Sequence, residues 1–458
     1  MATVIVANDL VGLGKVALTS SLPIMSACQT EVLPLPTVLL SSHTGEFENI
    51  YMRDLTDDLK GFYKQWEYLD FSVDGLVSGY FKSREELELV GQLARDRQLP
   101  LFIDPIMGDN GHLYQGFDRE YVEAMKDFCQ QADVIIPNLT EASLLTDSSY
   151  LEAGSYDDAT IKKLLRELSK LGPRKVILTG ISFENDKIGL AYFDKETNRT
   201  IYRMQKRYGN HFYGSGDLLT AILSAGYFYD LDLLKVCDLA LDVMDRVLSS
   251  TLSDGRPLKY GLCYEPHIGY LFSGFNALLE EKMKSDKTRE LVELSLYAAL
   301  IIVSVQFIRI PFGPQFVHLG NALVVIAVLI FGARKGALVA TVGLGLFDIF
   351  NGYAAEVWIT ILESLIVCYV LYLVFEKLLK SNDKMTNIII IGVIAAVTKI
   401  ILNFIKYTII NSVVAALPLN AAMVLALTKI GGTFGTSVVT IIAVPLLYPV
   451  FKRILQRN

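Results

Sequence analysis

The feature that most constrains this chain is a set of near-continuous apolar runs confined to residues 283–458. They lie near 291–310, 317–332, 336–350, 357–376, 386–410 and 421–451. About 20 apolar residues cross the hydrocarbon core of a bilayer, and shorter runs manage it with tilt or neighbours. A helical domain in water needs more polar surface than these runs leave. The expectation is therefore six membrane helices, an all-α domain over residues 291–458, with the last run interrupted at Gly431-Gly432.

Charge divides at the same place. From Met283 onward there are 15 Lys+Arg and 8 Asp+Glu, a balance of +7, whereas residues 1–282 carry −14. With alternating spans, one face receives Lys282, Lys284, Lys287 and Arg289, then Arg334 and Lys335, then Lys377, Lys380 and Lys384, then Lys452, Arg453 and Arg457. The opposite face keeps Arg309 and little else outside the spans. Positive charge marks the cytosolic side, so both termini are expected in the cytosol of a plasma-membrane protein. Residues 282–290 then form a basic linker. The whole-chain balance of −7 argues against a general nucleic-acid binder. Cys28, Cys129, Cys237, Cys263 and Cys368 have no metal-like spacing and are expected as free thiols. The first 30 residues hold no basic leader with a long apolar core, so no signal peptide is expected.

Residues 1–281 read differently. Short β-rich runs recur at Thr3–Ala7, Val32–Leu40, Gly75–Ser78, Leu101–Ile103, Val134–Ile136 and Val176–Leu178. Helical patterns at Ser83–Arg97, Arg119–Gln131 and Asp158–Leu171 fall between several of them. That alternation predicts an α/β domain with a mostly parallel sheet and helices on both faces. Ile188–Phe193 and Thr200–Gln205 look like a late antiparallel hairpin. In open α/β sheets ligands bind beyond the carboxyl ends of the strands, so polar residues placed there are the candidates for chemistry.

The most informative segment is His211-Phe-Tyr-Gly-Ser-Gly-Asp217, leading into an apolar helix. Its glycines allow close approach of a ligand, and a helix start offers free N–H groups to an anion. An aspartate there is either an ordinary helix cap or a base for a hydroxyl that attacks a phosphate. Asp104-Pro-Ile-Met-Gly-Asp109, Pro137-Asn138-Leu-Thr-Glu141 and Thr179-Gly180 follow three other strands. Each alone reads as a turn or a cap. Together, acidic groups beside a phosphate site point to Mg²⁺.

In that order, DPIMGD, IIPNLTEA, ILTG and YGSGD resemble the ribokinase-like vitamin kinases, and most closely pyridoxal/pyridoxamine kinase. The segments ANDLVGLGK, LPTVLLSSHTGEF and SGYF add to the likeness, which covers nearly all of residues 1–280. The resemblance implies ATP and Mg²⁺, with Asp217 as the base and Gly214, Ser215 and Gly216 as the anion hole. It implies Asn138 and Thr179 at the ATP phosphates and Asp104, Asp109 and Glu141 around Mg²⁺ and its waters. Asp9, Thr37, His43 and Tyr80 would line the vitamin site, and two kinase domains are expected to be able to pair. The sequence departs from the usual pattern in Ser215 for Thr, in Ile136 for a hydroxyl-bearing residue, and in Asn8-Asp9 near the ring. With five histidines and no spaced Cys/His set, no zinc site is expected.

In the apolar part, His318-Leu-Gly-Asn321, Phe-Gly-Ala-Arg-Lys-Gly336 and Asp348-Ile-Phe-Asn-Gly352 resemble the substrate-binding subunits of energy-coupling-factor vitamin transporters. That likeness implies docking to a scaffold membrane subunit with two ATPases, and Ser295 with Ala299 form a small-residue pair suited to a close helix contact. His318, Asn321, Asp348, Asn351, Glu356, Lys406 and Lys429 are polar groups at membrane depth, where polar groups mark sites by default. The chain has no GxxxxGK[ST] motor motif. The two likenesses together predict a bifunctional protein for vitamin B6, which binds the vitamin at the membrane and phosphorylates its hydroxymethyl group. The alternatives are a hydroxymethylpyrimidine kinase joined to a thiamine-precursor subunit, and a kinase-fold sensor on a membrane anchor.

Overall fold

A computed structural model describes residues 1–312 and 315–455. Arg457, expected on the basic face, lies outside the described residues. The chain divides into two compact units, Met1–Met283 and Lys284–Asn458.

The first unit is built on one nine-stranded sheet. Its strands in chain order are β1 (Thr3–Leu13), β2 (Glu31–Ser42), β3 (Met52–Asp54), β4 (Gly75–Ser78) and β5 (Leu101–Ile103). A small separate hairpin, β6 (Gly108–Asp109) with β7 (His112–Leu113), comes next. The sheet then continues with β8 (Val134–Ile135), β9 (Lys175–Ile181), β10 (Lys187–Asp194) and β11 (Arg199–Lys206). The spatial order is β11-β10-β9-β8-β5-β4-β1-β2-β3. Its centre, β2-β1-β4-β5-β8-β9, is parallel, while β3 and the β9–β10–β11 edge are antiparallel. The α/β, mostly parallel architecture is as the alternating pattern implies, and the late hairpin is present.

Alternation along the strands sets the two cores. Val4, Val6, Val77 and Phe102 pack with the helices Ser215–Phe228 and Leu233–Asp254 on one face. Ile5, Ala7, Leu76, Leu101 and Ile103 pack with the helices Arg84–Arg97, Arg119–Cys129 and Asp158–Lys170 on the other. Side chains with a period of two must point to opposite faces. This double burial fixes where the carboxyl ends of β5, β8 and β9 emerge, side by side at one edge. Among the elements not named from sequence are the helix Ala17–Ala27, which carries Pro23, and the short strand β3. Neither has a clean periodic signal.

In the second unit, helices Ile268–Phe307, Val357–Leu371 (continued in wider turns to Leu378), Met385–Val413 and Gly431–Leu455 are long and apolar enough to cross a membrane. Gly320–Phe331 and Leu419–Lys429 are shorter apolar helices, and Ala333–Phe350 completes the set. The expected linker residues 282–290 are helical. Two expectations need correction. The region is not wholly helical, because β12 (Arg309–Phe312) pairs antiparallel with β13 (Gln315–His318). Pro311 lacks the N–H a helix would use and stops the preceding run there. The last apolar run is two helices, parted at Ile430, so six runs become seven helical segments among the described residues.

All five cysteines are free thiols, Cys263 being the one that is partly exposed. Phe102 is fully buried on the central strand β5. Phe102→Ala should cost about 3–5 kcal/mol of stability. Denaturant unfolding of the full chain, followed by a probe in the first unit, measures this.

Candidate functional site

A cavity of about 410 Å³ opens beyond the carboxyl ends of β5, β8 and β9. Its wall includes Asp104, Asp109, Asn138, Glu141 and Thr179. Gly214, Ser215, Gly216 and Asp217 close it from the start of the helix Ser215–Phe228. All nine residues assigned from sequence to phosphate, metal and proton transfer therefore border one space. Ile136, the departure from a hydroxyl-bearing residue, lines it too and adds only apolar surface.

Local chemistry explains each placement. Gly214 is the residue before the helix and has φ +87, which suits glycine and turns the chain sharply into its first turn. Asp217 stands in that first turn, where free N–H groups favour a negative charge. Asn138 and Glu141 form a capping box. The Asn138 side chain accepts the Glu141 N–H at 2.9 Å, and the Glu141 carboxylate accepts the Asn138 N–H at 2.8 Å. Asn138 Nδ2 also donates to the Gly108 carbonyl, and Met107 N–H donates to Glu141. The cap reading of these two residues thus holds alongside any role at the cavity. Asp104 accepts a hydrogen bond from the Thr220 hydroxyl at 2.6 Å. Thr179 N–H donates to the Pro137 carbonyl at 2.9 Å, and this joins two strand ends.

The electrostatics are unusual. Burial pushes the Asp104 carboxyl up to about 7, with the Asp217 charge adding to it. Burial, then repulsion from Asp104, raises Glu141 well above the carboxylate range. Burial also raises Asp217, against opposing contacts from the Ala17 N–H, the Asn8 side chain and His43. Among the described residues no three His, Cys, Asp or Glu groups converge closely enough to hold a metal directly. The donor set still suits a hard dication held partly through water, because oxygen-only ligands that repel one another are what such an ion relieves.

The four residues expected around a vitamin ring do not line this cavity, and of them Asp9 and His43 interact electrostatically with Asp217. Asp9 is buried, and burial and then Asp217 push its carboxyl up to about 8. The Thr37 hydroxyl donates to the Tyr80 carbonyl at 2.8 Å, and the Tyr80 N–H donates to Asn8 Oδ1 at 2.8 Å. His43 Nδ1 accepts the Gly45 N–H, so its Nε2 carries the proton donated to the Lys259 carbonyl. Its ring packs on Tyr213 with centroids 4.8 Å apart. Asn8 was seen in the sequence only as a departure from pattern, and its position beside Asp217 is visible only in three dimensions.

In the second unit the expected residues are not gathered into one site. Asn351 folds back on the Phe347 carbonyl, and His318 Nδ1 accepts the Gly320 N–H. The Asp348 carbonyl accepts the Tyr353 N–H. Lys429 donates to Asn411 at 2.9 Å. Lys406 pairs with Glu356 at 3.8 Å and with Glu363 at 3.7 Å. Asn321 borders a small cavity with Lys399, Ser364 and Thr440. The sequence reading missed the centre of this network, a buried Glu363–Lys399 pair at 2.6 Å with Asn403 at 3.5 Å. Its signal was present, since Lys399, Asn403 and Lys406 share one face of a helix and Glu363 is the one acid within Val357–Leu371.

The sheet order, the glycine turn into a helix bearing Asp217 and the acidic strand ends define the first unit as a small-molecule kinase. Comparison with known proteins makes the family explicit. The phosphomethylpyrimidine kinase family model matches residues 59–257, and the model for the S component of the ECF-type riboflavin transporter matches residues 285–453. The structure of pyridoxal kinase from Lactobacillus plantarum is 30% identical with a TM-score of 0.56, over 60% of this chain and 97% of that one. Pyridoxal kinase from Arabidopsis thaliana is 26% identical over 242 residues, 50% of this chain and 76% of that protein. Hydroxymethylpyrimidine/phosphomethylpyrimidine kinase from Haemophilus influenzae is 26% identical over 192 residues, 41% of this chain and 69% of that protein. A Saccharomyces cerevisiae relative, 29% identical over 206 residues, is spanned over 63% of its length. The chain belongs to the pyridoxal/phosphomethylpyrimidine kinase family in its first unit and to the ECF transporter S components in its second. The second match and the four long apolar helices make that unit a membrane domain.

Two tests follow from these electrostatics. Asp9 has a folded pKa near 8 against 3.8 when free, so its contribution to stability is present below about pH 4 and is lost as pH rises through 8. Asp9→Asn should therefore stabilise the protein at pH 8, on the order of 2 kcal/mol or more, and much less at pH 5. Thermal unfolding at the two pH values checks this. In the membrane unit, Glu363→Gln alone should destabilise by about 3–5 kcal/mol by leaving Lys399 unpaired, and Glu363→Gln with Lys399→Gln should recover part of that loss in a detergent melt.

Proposed function

We propose that this protein takes up vitamin B6 through its membrane unit and traps it by ATP-dependent phosphorylation in its first unit. The observation that carries the reading is Asp217, set in the first turn of a helix behind Gly-Ser-Gly, on a cavity whose wall also holds Asn138 and Thr179. In the reaction, Asp217 takes the proton of the substrate hydroxymethyl as its oxygen attacks the γ-phosphorus of ATP and ADP leaves. N–H groups of Gly214, Ser215 and Gly216 face the charge on the transferring group. Asp104, Asp109 and Glu141 are the residues to hold Mg²⁺, which supplies positive charge to the phosphates. Asp9, Thr37, His43 and Tyr80 are the groups to surround the ring. Similarity to kinases of both pyridoxal and hydroxymethylpyrimidine supports the hydroxymethyl acceptor.

The membrane unit is assigned six spans with both termini cytosolic, supported by the basic residues at 282–289, 334–335, 377–384 and 452–453. It binds vitamin by itself and depends on a scaffold subunit with two ATPases for concentrative uptake. The phosphorylated product gains close to two negative charges and does not recross lipid. A second reading rests on the match to the S component of the riboflavin transporter: the membrane unit would bind a flavin-type vitamin, and the two units would serve different molecules.

Uptake of labelled pyridoxine in cells lacking any other kinase for it tests the coupling. Wild type should accumulate the label chiefly as phosphate, and Asp217→Asn should lower turnover by about 10²–10⁴-fold and total accumulation with it. Equal accumulation of wholly free label by both would contradict trapping.

A further inference from the structure

Asp109 reaches the cavity on the small hairpin of β6 and β7. Its strands pair Gly108 with Leu113 and Asp109 with His112, which leaves Asn110-Gly111 as a two-residue turn. Asn110 has φ +50 and Gly111 φ +80, the left-handed pair that an Asn-Gly hairpin turn requires. The turn also serves the carboxylate beside it. The Asn110 N–H donates to Asp109 Oδ1 at 2.8 Å, and Asn110 Nδ2 donates to Oδ2 at 3.0 Å. Asp109 is thus fixed within the hairpin, and its place on the cavity wall depends on where the hairpin is held.

An isolated two-stranded hairpin is at best marginally stable, and this one has two residues in each strand. Three hydrogen bonds tie it to Asn138 and the short helix Leu139–Leu145. Asn138 Nδ2 donates to the Gly108 carbonyl at 2.9 Å, and the Met107 N–H donates to Glu141 at 3.3 Å. The Gly111 N–H donates to the Thr140 hydroxyl at 2.9 Å. The first two ties use side chains that border the cavity, so a ligand that draws on Asn138 or Glu141 competes with them. Thr140 is not part of the cavity wall and is 2% exposed. Its tie is the one at the tip of the hairpin, two residues from Asp109.

We propose that Thr140 is a positioning residue for Asp109: its hydroxyl holds the hairpin tip through Gly111 and so keeps the Asp109 carboxylate on the cavity wall, available to Mg²⁺. The role lies on the metal side of the reaction. The proposal rests on the reading of Asp109 as a residue that holds Mg²⁺.

The test uses the full chain in detergent and compares two substitutions. Thr140→Val keeps the shape and removes the acceptor, whereas Thr140→Ser keeps the hydroxyl. Hydrogen exchange is read on a peptide covering residues 107–114. The Gly111 amide should exchange faster by roughly tenfold or more in Thr140→Val and stay within about threefold of wild type in Thr140→Ser. A second arm titrates Mg²⁺ against the phosphorylation rate and, with ADP present, against the melting temperature. Both midpoints should rise roughly tenfold in Thr140→Val and stay within about threefold in Thr140→Ser, with KM for the vitamin within about threefold throughout.

Equal exchange in wild type and Thr140→Val overturns the proposal, as does an equal rise of the midpoints in both variants. Asp109→Asn separates the proposal from the reading beneath it. Midpoints that move in Asp109→Asn but not in Thr140→Val overturn the proposal, and midpoints that move in neither contradict the role of Asp109 itself. Should Thr140→Val fail to fold, Thr140→Ala takes its place with the same expected results. A wild-type protein that phosphorylates no vitamin contradicts the proposed function, and the exchange and melting arms still decide the part of Thr140.

Discussion

Four carboxyl groups crowded into or beside one cavity govern the first unit. Asp9, Asp104, Glu141 and Asp217 come from β1, from the end of β5, from the helix that follows β8 and from a further helix start, and all are pushed up by burial. So many buried acids oppose folding unless hydrogen bonds, protons or a cation offset them. The structure supplies hydrogen bonds unevenly. Asp104 has Thr220, and Glu141 has two backbone N–H groups. Among the described residues no side chain donates to the Asp9 carboxylate, and burial pushes it up to about 8. On the proposed reading the unevenness separates roles: an acid beside the ring site, a base at the helix start, and a pair suited to a dication.

The membrane unit repeats the theme in a medium with less tolerance. Glu363 is buried between Lys399, Asn403 and Lys406, and this ties the helix Val357–Leu371 to Met385–Val413. In hydrocarbon such a network persists when every member is paired. Gln315 makes a comparable tie from β13, accepting from the Thr433 N–H at 2.8 Å.

Much of this was legible in the residues. Strands bury both faces, so their apolar runs stand out, and the polar residues that end them had to lie together because parallel strands end at one edge. That reasoning found Asp104, Asn138, Thr179 and Asp217 without coordinates. It failed where long-range packing decides. Nothing local shows that Lys15 lies between Gly214 and Gly261, some 200 and 250 residues away. In the apolar part hydropathy exposes helices but not the partners of single charges, so Glu356 and Lys406 were found while Glu363 and Lys399 were passed over. A hairpin of β12 and β13 inside an apolar stretch was hidden for the same reason.

The central claim is that one chain phosphorylates a B6-type hydroxymethyl group and binds that same vitamin in its membrane unit. It is tested most directly with the purified full chain, by phosphate transfer from labelled ATP to pyridoxal, pyridoxine, pyridoxamine and hydroxymethylpyrimidine. Equilibrium binding of the same compounds and of riboflavin is measured with the first site blocked by a non-hydrolysable ATP analogue and excess phosphorylated product. The account predicts fastest transfer to a B6 vitamer and saturable binding of that vitamer at the remaining site. Transfer only to hydroxymethylpyrimidine, or binding of riboflavin alone, would contradict it.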